Sequence, residues 1–285
     1  MSATATRPAP ATGRPHAAAP LTLRGVGRTF PARDGRGAPR AVLADVDLEI
    51  AAGEIVALIG ASGCGKSTLL RQVAGLDAPT TGEIRIGGTR VSGIDPRTAV
   101  AFQEPRLLPW RTLAQNVAVG LPRGTDRAAG AARVAELLDL VGLGECTHYR
   151  PRQVSGGMAQ RAALARALAR NPAVLVLDEP FGALDALTRL RMQDLLLDVH
   201  AAEPTTVLLV THDVDEALQL ADRVVLLGRP DGVPTGPAGV RAIVPVPGTR
   251  PRDRGAPELG ALRVRLLDGL GVATHHVEPD QHHSI

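Results

Sequence analysis

The stretch Glu54 to Thr68, EIVALIGASGCGKST, decides how this chain folds. It opens on an apolar, β-branched run, Glu54 to Ile59, which suits a short strand buried on both faces. Gly60, Gly63 and Gly65 follow and let the backbone curl. Lys66 to Leu76 then reads as a helix. Strand, curled loop and helix start together aim backbone N–H groups and the positive end of a helix at one point, which is an anion site. Gly60 to Ser67 also matches the spacing G-x-x-x-x-G-K-S of a phosphate loop. In that pattern the backbone from Gly60 through Ser62, Gly63, Cys64 and Gly65 to Thr68 cradles phosphates. Lys66 reaches the β- and γ-phosphates, and Ser67 offers a hydroxyl to Mg²⁺. The expected ligand is a nucleoside triphosphate with Mg²⁺.

Val174 to Pro180, VLVLDEP, supplies the second half of such a site. Four apolar residues bury a strand and two carboxylates follow at its C-terminal edge, where open α/β sheets bind ligands. Asp178 is placed to hold Mg²⁺ through its water shell. Glu179 is placed to act as general base on the attacking water. Ser155-Gly156-Gly157 precedes a strong helix pattern from Met158 to Arg170 and forms a second glycine-flexed, anion-binding helix start. One nucleotide has one set of phosphates. A second phosphate sensor therefore suggests service to a neighbouring copy's nucleotide, in a head-to-tail pair with two-fold symmetry.

With GASGCGKST and VLVLDEP, the string SGGMAQR (Ser155 to Arg161) resembles the signature of ABC transporter ATPases, over about residues 21–228. The resemblance implies an α/β P-loop NTPase with a RecA-like core, a small antiparallel β subdomain and a helical subdomain near residues 104–165. It also implies roles for further positions. Gln103 matches the glutamine that contacts Mg²⁺ and the nucleophilic water. Asp185, in Ala183-Leu184-Asp185, matches the loop that couples the two sites. His212, in VLLVTHD, matches the histidine that contacts the γ-phosphate. Phe30 stands where the family stacks an aromatic on adenine; the alternative is a buried strand-end ring.

Composition narrows the function classes. The chain has 285 residues, 44% of them hydrophobic, enough for one substantial core. Net charge is +3, but aromatics are only 2%, too few for base-stacking platforms, so nucleic-acid binding is not expected. Two widely spaced cysteines, Cys64 and Cys146, form neither a disulfide framework nor a zinc site. The N-terminus lacks a secretory h-region, and no apolar run approaches the ~20 residues of a membrane span. A membrane role would thus be peripheral, at the cytoplasmic face, beside a permease that does the spanning.

Residues 1–20, rich in Ala, Pro and Thr, read as a disordered leader. Leu21 to Phe30 and Ala41 to Ile50 alternate as half-buried strands. Strands then alternate with helices as far as Gly228, which implies a mostly parallel sheet. Residues 229–285 read as an extension with one helix, Glu258 to Leu270, and a flexible tail bearing His275, His276, His282 and His283.

Leu107 to Trp110, LLPW, resembles importers of nitrate, taurine, aliphatic sulfonates and thiamine precursors. In that group this segment receives the membrane subunit's coupling helix, so Trp110 is either part of a socket or packed inside the helical subdomain. Thr249 to Leu267 (TRPRDRGAPELGALRVRLL) is similar to the tails of the aliphatic sulfonate branch. The resemblance implies a homodimer closing on ATP, permease subunits as partners, and indirectly an extracytoplasmic binding protein. A soluble ABC ATPase of DNA repair would need a long coiled-coil or zinc insertion, for which Ser67 to Ser155 has no room. A ribosome-binding ABC factor would carry two such domains.

Overall fold

The computed structural model describes residues 17–32, 38–230, 233 and 235–272. The four tail histidines and residues 1–16 of the leader lie outside them. The last leader residues are tied to the core. Ala19 donates its N–H to the Ala173 carbonyl, and its own carbonyl accepts from the Thr206 hydroxyl at 2.7 Å.

Two sheets organise the chain. The strands β1 (Leu21–Phe30), β2 (Arg40–Ile50), β4 (Thr81–Ile86) and β5 (Thr89–Arg90) form an antiparallel sheet in the order β2-β1-β4-β5. The second sheet holds β3 (Ile55–Ile59), β6 (Thr98–Ala101), β7 (Val174–Asp178), β8 (Thr206–Val210), β9 (Arg223–Gly228) and β10 (Gly239–Pro245), in the order β10-β9-β3-β8-β7-β6. Of its five pairings four run parallel, and at one edge β10 lies antiparallel on β9.

Both faces of this sheet are covered, which explains its continuous apolar runs. Side chains alternate across it with period two. Ile55, Ala57, Ile59, Leu175, Leu177, Val207 and Leu209 enter one core with the helices α2 (Leu113–Ala118), α3 (Arg127–Leu140), α4 (Gly156–Leu168), α5 (Ala186–Ala202), α6 (Val214–Leu220) and α7 (Pro257–Gly269). Val56, Leu58, Val174, Val176, Leu208 and Val210 enter the other, with α1 (Lys66–Val73) and the antiparallel sheet.

Three elements differ from expectation. α1 stops at Val73 rather than running to Leu76, because Gly75 takes φ 68° and the Leu76 N–H turns back to the Arg71 carbonyl, a glycine helix stop. α5, which the sequence pattern reads as a helix from Arg189 to Ala201, begins three residues earlier, at Ala186, because Asp185 caps it. The stretch after Gly228 is more than a helix and a tail: β10 extends the main sheet, and Val244, Val246, Leu259 and Leu266 lie in its core.

Candidate active site

Parallel strands deliver their loops to one edge. Gln103 follows β6, Gly60 follows β3, Asp178 ends β7, and Thr211 and His212 follow β8. Adjacent pairing of β7 and β8 sets Asp178 opposite Val210, and the Glu179 N–H donates to the Val210 carbonyl at 2.8 Å. That hydrogen bond brings the two strand ends together. His212 Nδ1 lies 3.3 Å from Glu179 Oε2.

The phosphate loop is shaped by steric limits. A Cβ on Gly60 would stand 2.3 Å from the Leu227 carbonyl oxygen and 2.7 Å from Cys64 Sγ. Gly65 takes φ 103°, and a Cβ there would strike Leu43. Gly65 is the N-cap of α1, and no side chain caps this helix. The Lys66 ammonium, buried with its stem, donates to the Gly60 carbonyl at 2.7 Å and to Ala61 at 3.2 Å, so it stands inside the curl.

These residues open on one cavity of about 910 Å³. Phe30, Ser62, Gly63, Gly65, Lys66, Ser67, Thr68 and Glu179 all line it, with Arg40 and Val42 from β2. Phe30 is half-buried, and the Arg28 guanidinium lies 4.5 Å from its ring centroid. Arg28 is in turn held by Asp77 at 2.8 Å. Asp178 is half-buried at the end of β7. Burial first, and the Glu179 carboxylate second, push its carboxyl above the usual range; Arg71 and Lys66 oppose them. A cation at this point would relieve both effects. Glu179 sits in the left-handed region at φ 46°.

Other expected residues fall elsewhere. Gln103 is exposed and does not line this cavity; its amide nitrogen lies against Gly182 instead, 3.0 Å from where a Cβ there would be. Ser155 and Gly157 line a separate cavity of about 630 Å³, with Arg161, Thr188 and Arg191. The Ser155 hydroxyl accepts from the Met158 N–H at 3.2 Å and caps α4. The Asp185 carboxylate accepts from the Thr188 N–H at 3.0 Å and caps α5; its hydrogen bonds with Thr188 hold its carboxyl below the usual range.

The model of the ABC transporter family matches residues 43–182. Aliphatic sulfonates import ATP-binding protein SsuB 2 of Burkholderia lata is 51% identical over 232 residues, 81% of this chain and 81% of the relative. SsuB 1 of Xanthomonas axonopodis pv. citri is 52% identical over 233 residues, covering 81% and 90%. SsuB 1 of Rhizobium johnstonii is 46% identical over 262 residues, covering 92% and 90%. Among solved structures, the dimeric post-hydrolysis state of the ATP-binding cassette MJ0796 bound to ADP and Pi superposes with a TM-score of 0.67 at 31% identity. It covers 80% of this chain and all of that one. This chain belongs to the ABC transporter family.

As an ABC ATPase, the chain holds its 102–112 segment with residues that sequence reasoning missed. Asn116, fully buried on α2, accepts from the Leu108 N–H at 2.7 Å and donates to the Leu108, Arg111 and Thr112 carbonyls. From α4, Gln160 donates to the Phe102 carbonyl, and Arg166 to Pro105 and Arg106. The helix that starts at the signature thus grips the segment that follows Gln103. Its place one turn on from Leu113, on the buried side of a short helix, was the available signal for Asn116. Trp110 is 68% exposed, so the packed alternative for this ring is set aside. Glu216 was also missed. It is buried on α6, with one carboxylate oxygen lacking a protein partner, and burial, aided by Asp213, pushes its carboxyl up to about 8. No helix among the described residues is long and apolar enough to cross a membrane.

Proposed function

We propose that this chain is the ATP-hydrolysing subunit of an importer for aliphatic sulfonates and works as a homodimer. One observation carries the ATPase reading: Lys66, Ser67 and Glu179 line a single cavity whose floor is the glycine loop. The substrate class rests on the names of the relatives and on the Thr249 to Leu267 tail. Taurine, nitrate or a thiamine precursor is the second reading, carried by Leu107 to Trp110.

The loop N–H groups and the Lys66 ammonium bind the β- and γ-phosphates, and Phe30 offers its ring to adenine. Ser67 and Asp178, with Gln103, would hold Mg²⁺, which would offset charge on the phosphates. The raised carboxyl of Asp178, lowered again by any nearby cation, fits that role. Glu179 takes a proton from water as the water oxygen bonds the γ-phosphorus and the bond to the β–γ bridging oxygen breaks, leaving ADP and phosphate. His212, beside Glu179, fixes the base and donates toward the γ-phosphoryl.

Ser155 and Gly157, on either side of Gly156, line a different cavity from the phosphate loop, which supports the service of this stretch to the ATP of a second copy. Asp185 caps α5 through Thr188, which lines the second cavity. Closure of the pair moves α4, and α4 grips Phe102, Pro105 and Arg106. On this reading exposed Trp110 pushes on a permease helix at the cytoplasmic face of the membrane, and its exposure supports that role. An extracytoplasmic binding protein would deliver the substrate to the permease.

The test is Glu179→Gln. It is expected to abolish phosphate release while ATP binding persists and dimers accumulate in size-exclusion chromatography with ATP. Wild-type turnover by that variant would overturn the base assignment. Growth of a deletion strain on sulfonates as the only sulfur source tests the substrate, and normal growth on all of them would overturn it.

A further inference from the structure

The segment Thr249 to Arg254, TRPRDR, carries three arginines that the nucleotide chemistry does not use. Arg252 donates from Nη1 to the carbonyls of Leu218 at 3.2 Å and Gln219 at 3.1 Å. Arg250 donates from Nη1 to the Leu220 carbonyl at 3.3 Å, and its Nη2 lies 3.4 Å from Asp222 Oδ2. The other Arg252 donors hold their own segment, Nε to the Pro247 carbonyl and Nη2 to Val246. Arg254 reaches across to α5, at Gln193 Oε1 and Asp194 Oδ1.

Leu218, Gln219 and Leu220 are the last residues of α6, and the closing carbonyls of a helix have no partner within it. α6 has seven residues. Isolated helices below roughly 12 residues are marginal in water, so this one depends on support from outside. A guanidinium at the carbonyl end satisfies these acceptors and opposes the negative end of the helix dipole. Burial lowers the Arg252 guanidinium from its ordinary value, and an arginine so placed keeps its charge.

The far end of α6 begins at Asp213, whose carboxylate accepts from the Asp215 and Glu216 N–H groups. Arg189 of α5 pairs with Asp213 at 3.2 Å. The residue before this cap is His212, which meets Glu179. α6 is therefore a short rod with arginines of the C-terminal segment at one end and the histidine at the other. α5 runs alongside it, tied to the Asp213 cap by its own Arg189 and to the C-terminal segment by Arg254.

We propose that Arg250 and Arg252 are positioning residues for ATP hydrolysis, which hold α6 so that His212 stays in register with Glu179. This inference rests on the roles given above to Glu179 and His212. It makes the segment beyond β10 part of the hydrolytic unit.

The test uses the full chain and the variants Arg252→Ala, Arg252→Lys, His212→Ala and the Arg252→Ala/His212→Ala pair. Phosphate release is followed long enough to read residual rates, at a temperature where melting curves show every variant folded. Arg252→Ala is expected to lower kcat about tenfold and change the KM for ATP less than about twofold, since α6 does not line the nucleotide cavity. Arg252→Lys is expected to recover part of kcat, because an ammonium keeps the charge at the helix end but cannot also hold Pro247 and Val246 as Nε and Nη2 do. With His212 already removed, losing Arg252 is expected to change kcat less than about twofold. If Arg252→Ala does not fold, Arg250→Ala carries the same comparisons. A kcat within about twofold of wild type, or an equal loss in both backgrounds, overturns the proposal. Wild-type turnover by His212→Ala would show that the histidine's role is wrong. It would remove this inference with it, and the fault would be visible without any arginine variant.

Discussion

Two helices in this chain begin on glycine-rich sequence, and they begin differently. α1 starts from Gly65 in the left-handed region with no side-chain cap. α4 starts from Ser155 in extended backbone, and the Ser155 hydroxyl already accepts from the Met158 N–H. The first leaves its opening N–H groups to an outside anion and surrounds them with Lys66, Ser67 and Glu179. The second is a complete helix start that presents a hydroxyl and a flat pair of glycines. Under the proposed function, the uncapped start binds nucleotide alone and the capped one reads it from across an interface between copies. An uncapped start needs its ligand; a capped one only needs to be reached.

The largest expected effect would break the comparison at α1. Lys66→Ala is expected to weaken ATP binding by about 10²-fold or more, the scale seen when one preorganised donor to a phosphate-like anion is removed. Isothermal titration checks it, and unchanged affinity would mean that the uncapped start is not the primary site. Ser155→Ala probes the other half. It is expected to leave ATP affinity of the isolated subunit within about twofold and to slow dimer-dependent turnover, with about 1 kcal/mol lost from the cap of α4. A loss of ATP affinity matching that of Lys66→Ala would erase the distinction.

A third helix start, α6, sharpens the contrast because its cap is a carboxylate beside a buried acid. Glu216 has its folded carboxyl raised from 4.5 to about 8. In the folded state it holds its proton where the unfolded chain releases it, so stability falls as pH rises from about 4.5 to about 8. Glu216→Gln is expected to flatten that fall, with a melting-temperature gain over wild type that grows with pH across this window. A constant difference at all pH values would contradict it. The smallest effect belongs to Trp110→Ala. At this exposed site stability is expected to stay within about 0.5 kcal/mol and basal ATPase to be unchanged. Permease-stimulated ATPase, measured with the membrane subunits in vesicles, is expected to drop.

How much of this was legible in the sequence follows from how local each signal is. Gly60 to Ser67 and Val174 to Glu179 are single strings whose residue types explain themselves, and the structure brings both to the same sheet edge. The parallel sheet was legible from alternating strands and helices. β10 was not, because Pro and Gly crowd the sequence around it and its pairing with β9 is set by tertiary contact. The early start of α5 was available in Asp185 as a cap and went unused. The grip of Asn116, Gln160 and Arg166 on the 102–112 segment joins residues up to 61 positions apart, and no local pattern carries it. The arginines of Thr249 to Arg254 were noticed only as a family-like string. Their partners in α6 and α5 lie 30 to 61 residues earlier in the chain.

Glu179 sits at φ 46°, where a side chain costs about 1–2 kcal/mol relative to the ordinary helical region. Considered for stability alone, glycine would be the better choice at this position, and asparagine a tolerable one. A library of this gene selected for thermal resistance without transport would therefore drift toward Glu179→Gly, and one selected for uptake would hold the glutamate. Sorting the two populations would show where durability and turnover pull the same codon in opposite directions.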